Sequence, residues 1–143
     1  MEQASGALAA APADHELQDF ARRYTDAWNS HDAGSLALFF EPDATYKVND
    51  GEPYTGAAGI ARMYQETLAE YPDFEIILDG VSGSETGATY LWTFVGTYVD
   101  TGRVVRLSGT ENWTFSEGGL IKEALELYDA NDLQRQLTGG AIP

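Results

Sequence analysis

Residues 88–115 read ATYLWTFVGTYVDTGRVVRLSGTENWTF. In the first half, Tyr90, Trp92, Phe94 and Tyr98 fall on one side of an extended chain and Thr89, Thr93 and Thr97 on the other. That period-two alternation marks a half-buried strand. Asp100-Thr101-Gly102 is a hairpin turn sequence, flanked by strands at Ala88–Val99 and Arg103–Phe115. In the second half, Leu107, Glu111, Trp113 and Phe115 share a side against Arg106, Ser108, Thr110, Asn112 and Thr114. The sheet therefore has one aromatic face, which helices must cover, and one face of small polar residues. Glu111 breaks the pattern: it is a carboxyl in the middle of the apolar face.

Outward from this hairpin, Phe74–Val81 reads as a strand before a turn at Ser82–Gly87. A turn at Ser116–Gly119, a strand at Leu120–Tyr128 and a short helix within Asp129–Leu137 follow it. Toward the N-terminus, Leu17, Phe20, Ala21, Tyr24, Ala27 and Trp28 recur at helical spacing behind a capping Asp14. Asp32 caps a short helix carrying Leu36, Phe39 and Phe40, which Pro42 ends; a strand at Ala44–Asn49 then runs into a turn-rich segment ending at Pro53. Ile60, Met63, Tyr64, Thr67, Leu68 and Tyr71 mark a third helix, stopped at Pro72. Early helices followed by meandering strands predict an α+β fold, with residues 14–143 forming one domain.

Composition narrows the function. The chain has 143 residues, no cysteine, and 8 basic against 23 acidic residues for a net charge of −15. The absence of cysteine excludes disulfides, thiolate catalysis and cysteine-ligated zinc. The acidity disfavours nucleic acid and anionic membrane as partners. No apolar run approaches the roughly 20 residues of a membrane span. Residues 1–13 are alanine-rich without Lys or Arg, and are expected to be a disordered lead-in rather than a signal peptide, which makes the protein cytoplasmic. His15 and His31 have no partner carboxylates at metal-ligand spacing. Gly102, Gly118 and Gly119 belong to hairpin turns rather than a phosphate cradle, so neither metal nor organic cofactor is expected.

The element order, with Tyr24-Thr25-Asp26-Ala27-Trp28-Asn29-Ser30-His31-Asp32, Leu38-Phe39-Phe40-Glu41-Pro42-Asp43-Ala44-Thr45 and Thr55-Gly56 before the Ile60 helix, resembles the nuclear transport factor 2-like superfamily. The run from Gly119-Leu120-Ile121 through Tyr128-Asp129 to Arg135-Gln136-Leu137 resembles its SnoaL-like polyketide cyclase branch. The resemblance implies a cone-shaped, curved, mostly antiparallel sheet wrapped around N-terminal helices and enclosing an apolar pocket. In ketosteroid isomerases of this superfamily, a helix tyrosine and a late-strand acid form an oxyanion hole. Those positions match Tyr24 and Glu111, with Tyr64 as the supporting tyrosine. The isomerase base falls at Val48, which cannot move a proton, and Asp50, two residues on, replaces it only if the shortened loop folds back. The cyclase aspartate lies seven residues after the last turn glycine; from Gly119 that position is Glu126. The cyclase's partner histidine is missing near Asn112 and Trp113. Limonene-type epoxide hydrolases need an Arg-x-Asp pair that neither Trp92-Thr93-Phe94 nor Val95-Gly96-Thr97 supplies.

Glu126 alternates with Ala124 and Tyr128. In one register these three line the pocket; slipped by one residue, Leu125 and Leu127 turn inward and Glu126 is solvated. The expected site is Glu126, Glu111 and Tyr24 for chemistry. Tyr64, Tyr46, Val48, Phe94, Tyr98, Trp113 and Tyr128 would line the pocket, and Trp92 would belong to its lining or to the core. The function this implies is cofactor-independent acid/base catalysis of cyclase, isomerase or dehydratase type on a small apolar carbonyl-bearing molecule. Glu126 would be the base, with Tyr24 and a protonated Glu111 as donors to the enolate oxygen. The alternative is a non-catalytic small-molecule-binding or protein-interaction module. The flat face of Thr89, Thr93, Thr97, Ser108, Thr110 and Asn112 is expected to form a homodimer.

Overall fold

A computed structural model describes residues 14–139, so the expected lead-in at 1–13 lies outside the described residues. The elements are helix α1 (Asp14–Asn29), α2 (Ala33–Ala37), strands β1 (Phe40–Val48) and β2 (Tyr54–Thr55), α3 (Gly56–Glu70), β3 (Glu75–Gly83), β4 (Gly87–Thr97), β5 (Val104–Phe115), β6 (Ile121–Tyr128) and α4 (Ala130–Leu137). The strands form one six-stranded sheet in the order β2-β1-β6-β5-β4-β3. Every neighbouring pair is antiparallel except β1 and β6, which run parallel. The sheet is curved and unclosed, an α+β architecture with the helices against its aromatic face.

The inward alternation of β5 buries Val105, Leu107, Glu111, Trp113 and Phe115. The buried stripe of α1, from Leu17 through Phe20, Ala21, Tyr24 and Ala27 to Trp28, packs on it. Tyr24 meets Trp113 edge-on at 4.9 Å and Tyr90 at 5.2 Å between ring centroids. Asn29 closes α1 against the edge strand β3. Its Nδ2 donates to the Ile76 carbonyl (2.9 Å) and its Oδ1 accepts from the Ile76 N–H (2.7 Å). One amide side chain thus occupies backbone groups that an edge strand otherwise leaves open.

Two expectations about the N-terminal half are corrected. The short helix ends at Ala37, and Phe40 and Pro42 belong to β1. Pro42 is tolerated there because the β1–β6 pairing shifts register between Phe40 and Thr45, where a residue with no N–H costs the ladder nothing. The turn-rich segment after β1 leads into the two-residue strand β2, whose Tyr54 and Thr55 pair with Tyr46 and Thr45. On the far face of the sheet, Thr93 hydrogen-bonds Asp79 (2.6 Å) and Ser108 (2.8 Å), and Thr89 bonds Asn112 (3.1 Å). Leu91 and Leu127 stand exposed among them.

Candidate active site

Between the concave face of the sheet and α3 lies a cavity of about 400 Å³, within the range of small-molecule sites. The sheet contributes Val48, Ile76, Tyr90, Trp92, Phe94, Val105, Leu107 and Tyr128. Helix α3 supplies a stripe at three- and four-residue steps, Met63, Glu66, Thr67 and Glu70, which Tyr71 continues. Glu111 and Glu126 also reach it. No Lys, Arg or His is in its lining, and among the described residues no group of three metal-ligating side chains converges.

The two glutamates face each other because β5 and β6 pair Glu111 directly with Glu126, Trp113 with Ala124 and Gly109 with Tyr128. Ala124 is buried and Leu127 exposed, so of the two registers open to the sequence it is the one with Glu126 inward that forms. Asn49, in the left-handed region at φ 49°, ties the end of β1 to this point. Its N–H donates to the Glu126 carbonyl (2.8 Å) and its Oδ1 accepts from the Tyr128 N–H (3.1 Å). In the wall behind, the indole of Trp92 approaches Gly109 closely. A Cβ at Gly109 would stand 2.5 Å from Trp92 Cζ2 and 2.4 Å from the Leu127 carbonyl.

Glu111 is 3 % exposed and takes three donors. Tyr24 Oη (2.7 Å) and Trp113 Nε1 (2.9 Å) converge on its Oε1, and Tyr46 Oη reaches its Oε2 at 2.8 Å. Tyr46 Oη also makes a short hydrogen bond with Glu126 Oε1. Glu126 Oε2 has no hydrogen-bond partner among the described residues. Burial first, and the Glu111 charge opposite it second, push the Glu126 carboxyl up to about 8, against the single lowering contact of Tyr46. Burial also raises the Glu111 carboxyl, while Tyr24, Trp113 and Tyr46 oppose the rise by favouring its charged form. The Tyr24 and Tyr46 hydroxyls are held far above the usual phenol range by burial and by the neighbouring carboxylates.

The residues singled out from sequence separate into three groups. Glu111, Glu126, Val48, Phe94, Tyr128 and Trp92 meet in the cavity wall. Tyr24, Tyr46 and Trp113 stand behind that wall with their polar atoms turned to the glutamates. Tyr24 therefore does not open on the cavity beside Glu111 as an oxyanion donor; its hydroxyl is committed to Glu111. Tyr64 and Tyr98 belong elsewhere. The Tyr64 hydroxyl donates to the Trp28 carbonyl at 2.5 Å, because α3 turns it toward α1 and away from Glu111. Tyr98, at the end of its hairpin strand, packs beside Tyr71 and donates to Asp100 (3.2 Å). Asp50 is exposed in its turn and does not line the cavity. Sequence reasoning missed Glu66, Glu70 and Tyr71. Their spacing with Met63 and Thr67 was the available signal: one helix stripe that mixes acids with apolar residues.

The sequence matches the family described as SnoaL-like domain over residues 21–124. A search of curated proteins finds no match. Among solved structures, TsrD from Streptomyces laurentii superposes with a TM-score of 0.78 at 20% identity, covering 91% of this chain and 99% of that one. A protein of ketosteroid isomerase-like fold from Catenulispora acidiphila, in complex with trimethylamine, gives 0.77 at 16% identity over 87% and 98% of the two chains. SalBIII, an epoxide hydrolase/cyclase-like enzyme of pyran ring formation in the polyether salinomycin, gives 0.75 at 13% identity over 84% and 95%. At these identities the likeness is one of fold: the nuclear transport factor 2-like cone.

Proposed function

The chain belongs to the SnoaL-like domain family, and from that premise we propose that it is a cofactor-independent acid/base enzyme of cyclase, isomerase or dehydratase type. The observation that carries the reading is Glu126: a carboxyl at the wall of a cavity of about 400 Å³, with a raised pKa and one oxygen free of protein partners. A group that titrates near the working pH can both give and take a proton. The aromatic walls and the lack of any lining cation favour a small, apolar, carbonyl-bearing substrate without phosphate or carboxylate. Glu66 and Glu70 at the mouth would repel such anions. In this reading Glu126 exchanges the proton with substrate, while Glu111, held by Tyr24, Tyr46 and Trp113, sets the charge state of Glu126. The protein works as a cytoplasmic homodimer paired through the far face of the sheet.

One observation favours a second reading, a binding module without turnover: the Tyr24 hydroxyl is committed to Glu111, so Tyr24 and Glu111 do not face the cavity as a pair of donors. Mass spectrometry of small molecules that co-purify with the chain, followed by assay of the identified compound, separates the two. Conversion by wild type and its loss in Glu126→Gln, with binding retained, supports the enzyme. A ligand bound unchanged by wild type supports the module.

A further inference from the structure

Tyr46 stands between two carboxyls with a single proton to give. Its Oη is 2.8 Å from Glu111 Oε2 and in short contact with Glu126 Oε1. A neutral phenol donates one hydrogen bond, so the second contact must run the other way, from a protonated carboxyl to Tyr46 Oη. The geometry therefore needs a proton on the pair, and it allows two arrangements. In one, Glu126 donates to Tyr46 and Tyr46 donates to Glu111, which is ionised. In the other, Glu111 donates to Tyr46 and Tyr46 donates to an ionised Glu126. The two differ only in which side of each oxygen–oxygen contact the proton occupies. The first gives an ionised Glu111 three donors, and the resting pair exchanges its proton between the two arrangements.

We infer that Tyr46 is a relay residue, passing one proton between Glu126, which opens on the cavity, and Glu111, which is sealed behind it. This deepens the enzyme reading above and rests on it for its use. A proton leaving a substrate carbon binds Glu126 Oε2. The proton already on Glu126 Oε1 moves to Tyr46 Oη, and the Tyr46 proton moves to Glu111 Oε2. The substrate goes from neutral to enolate as the carboxyl pair goes from one negative charge to none, so charge is conserved. Reversal returns the proton to the same or another substrate atom. A resting Glu126 that is protonated on one oxygen can thus still act as a base through the other. Tyr46 acts through Glu126 and touches no substrate.

The groups that face this chain are Tyr24 from α1, Tyr54 from β2, Tyr90 from β4, Trp113 from β5 and Tyr128 from β6, with Glu66 and Glu70 of α3 across the cavity. None carries a positive charge, so among the described residues no cation offsets the repulsion between the two carboxyls.

The test is a carboxyl ¹³C NMR titration of the full-length, glutamate-labelled protein from about pH 4 to about pH 9. Glu111→Gln and Glu126→Gln provide the assignments. In wild type both resonances should titrate together, each in two partial steps. In Tyr46→Phe the steps should separate, one carboxyl titrating over its full amplitude and the other staying flat between. In Glu111→Gln the Glu126 midpoint should drop by about one pH unit or more. A wild-type Glu126 that titrates in one full step beside a flat Glu111, unchanged in Tyr46→Phe, overturns the relay. The titration uses no substrate, so the relay can fail while the enzyme reading stands. Conversely, a Glu126→Gln variant that still turns over its substrate removes the enzyme reading and leaves the shared proton in place.

Discussion

Glu126 brings a proton into the fold that the unfolded chain does not hold at neutral pH. Its folded-state carboxyl sits near 8, against an ordinary value of 4.5. Below about pH 4.5 both states are protonated and the folded state loses nothing. As pH rises toward 8 the unfolded chain ionises while the folded one keeps its proton, so stability falls across that window and levels off above it. Glutamine mimics the protonated acid, and its NH₂ can donate to Tyr46 Oη as the acid does. Glu126→Gln should therefore be more stable than wild type at pH 7, by about 2 kcal/mol, and the gain should vanish toward pH 4. Urea melts of both proteins at several pH values measure the difference. A variant that is neutral or destabilised at every pH means the Glu126 carboxyl is ionised and well solvated in the folded state.

At the level of elements, the β4–β5–β6 meander carries the site and Gly109 is its tightest point. Gly109→Ala would drive a methyl group into Trp92 and the Leu127 carbonyl. It should cost about 2 kcal/mol or more in chemical denaturation and narrow the cavity, read as weaker binding of any ligand found. A variant as stable as wild type would mean that the strands part there without penalty. The meander is also what the sequence tells most clearly: alternation in residues 88–115 identifies the inward faces of β4 and β5, with Glu111 among them. Pro42 misled because a proline ends a helix by a local rule, whereas its place in β1 depends on a register shift against a strand some 80 residues on. Tyr64 misled because helical spacing says that a residue is buried without saying which neighbour its hydroxyl meets. Tyr46 was read as pocket lining, whereas it stands behind the wall with its hydroxyl on both glutamates. Parallel pairing of β1 with β6 leaves no mark in either segment.

For the whole molecule, the proposed homodimer would pair through the far face of the sheet. Leu91, Thr110 and Leu127 lie in one row across β4, β5 and β6, with both leucines exposed. If the homodimer forms there, Leu91→Glu combined with Leu127→Glu should yield a particle of 15.6 kDa by light scattering, where wild type gives twice that mass. An unchanged mass places the interface elsewhere. The hydrogen bonds of the carboxyl network have their own consequence for the whole chain. They join residues separated by 87, 65 and 80 positions, while β3 to β6 assemble from neighbouring hairpins. Contacts of long sequence separation form late, since loop closure must come first. The N-terminal helix and β1 should thus seal the two acids at the end of folding, with the shared proton taken up then. Refolding at pH 7 in weak buffer with an indicator dye should show proton uptake confined to the slowest phase, a chemical clock for closure of the cone.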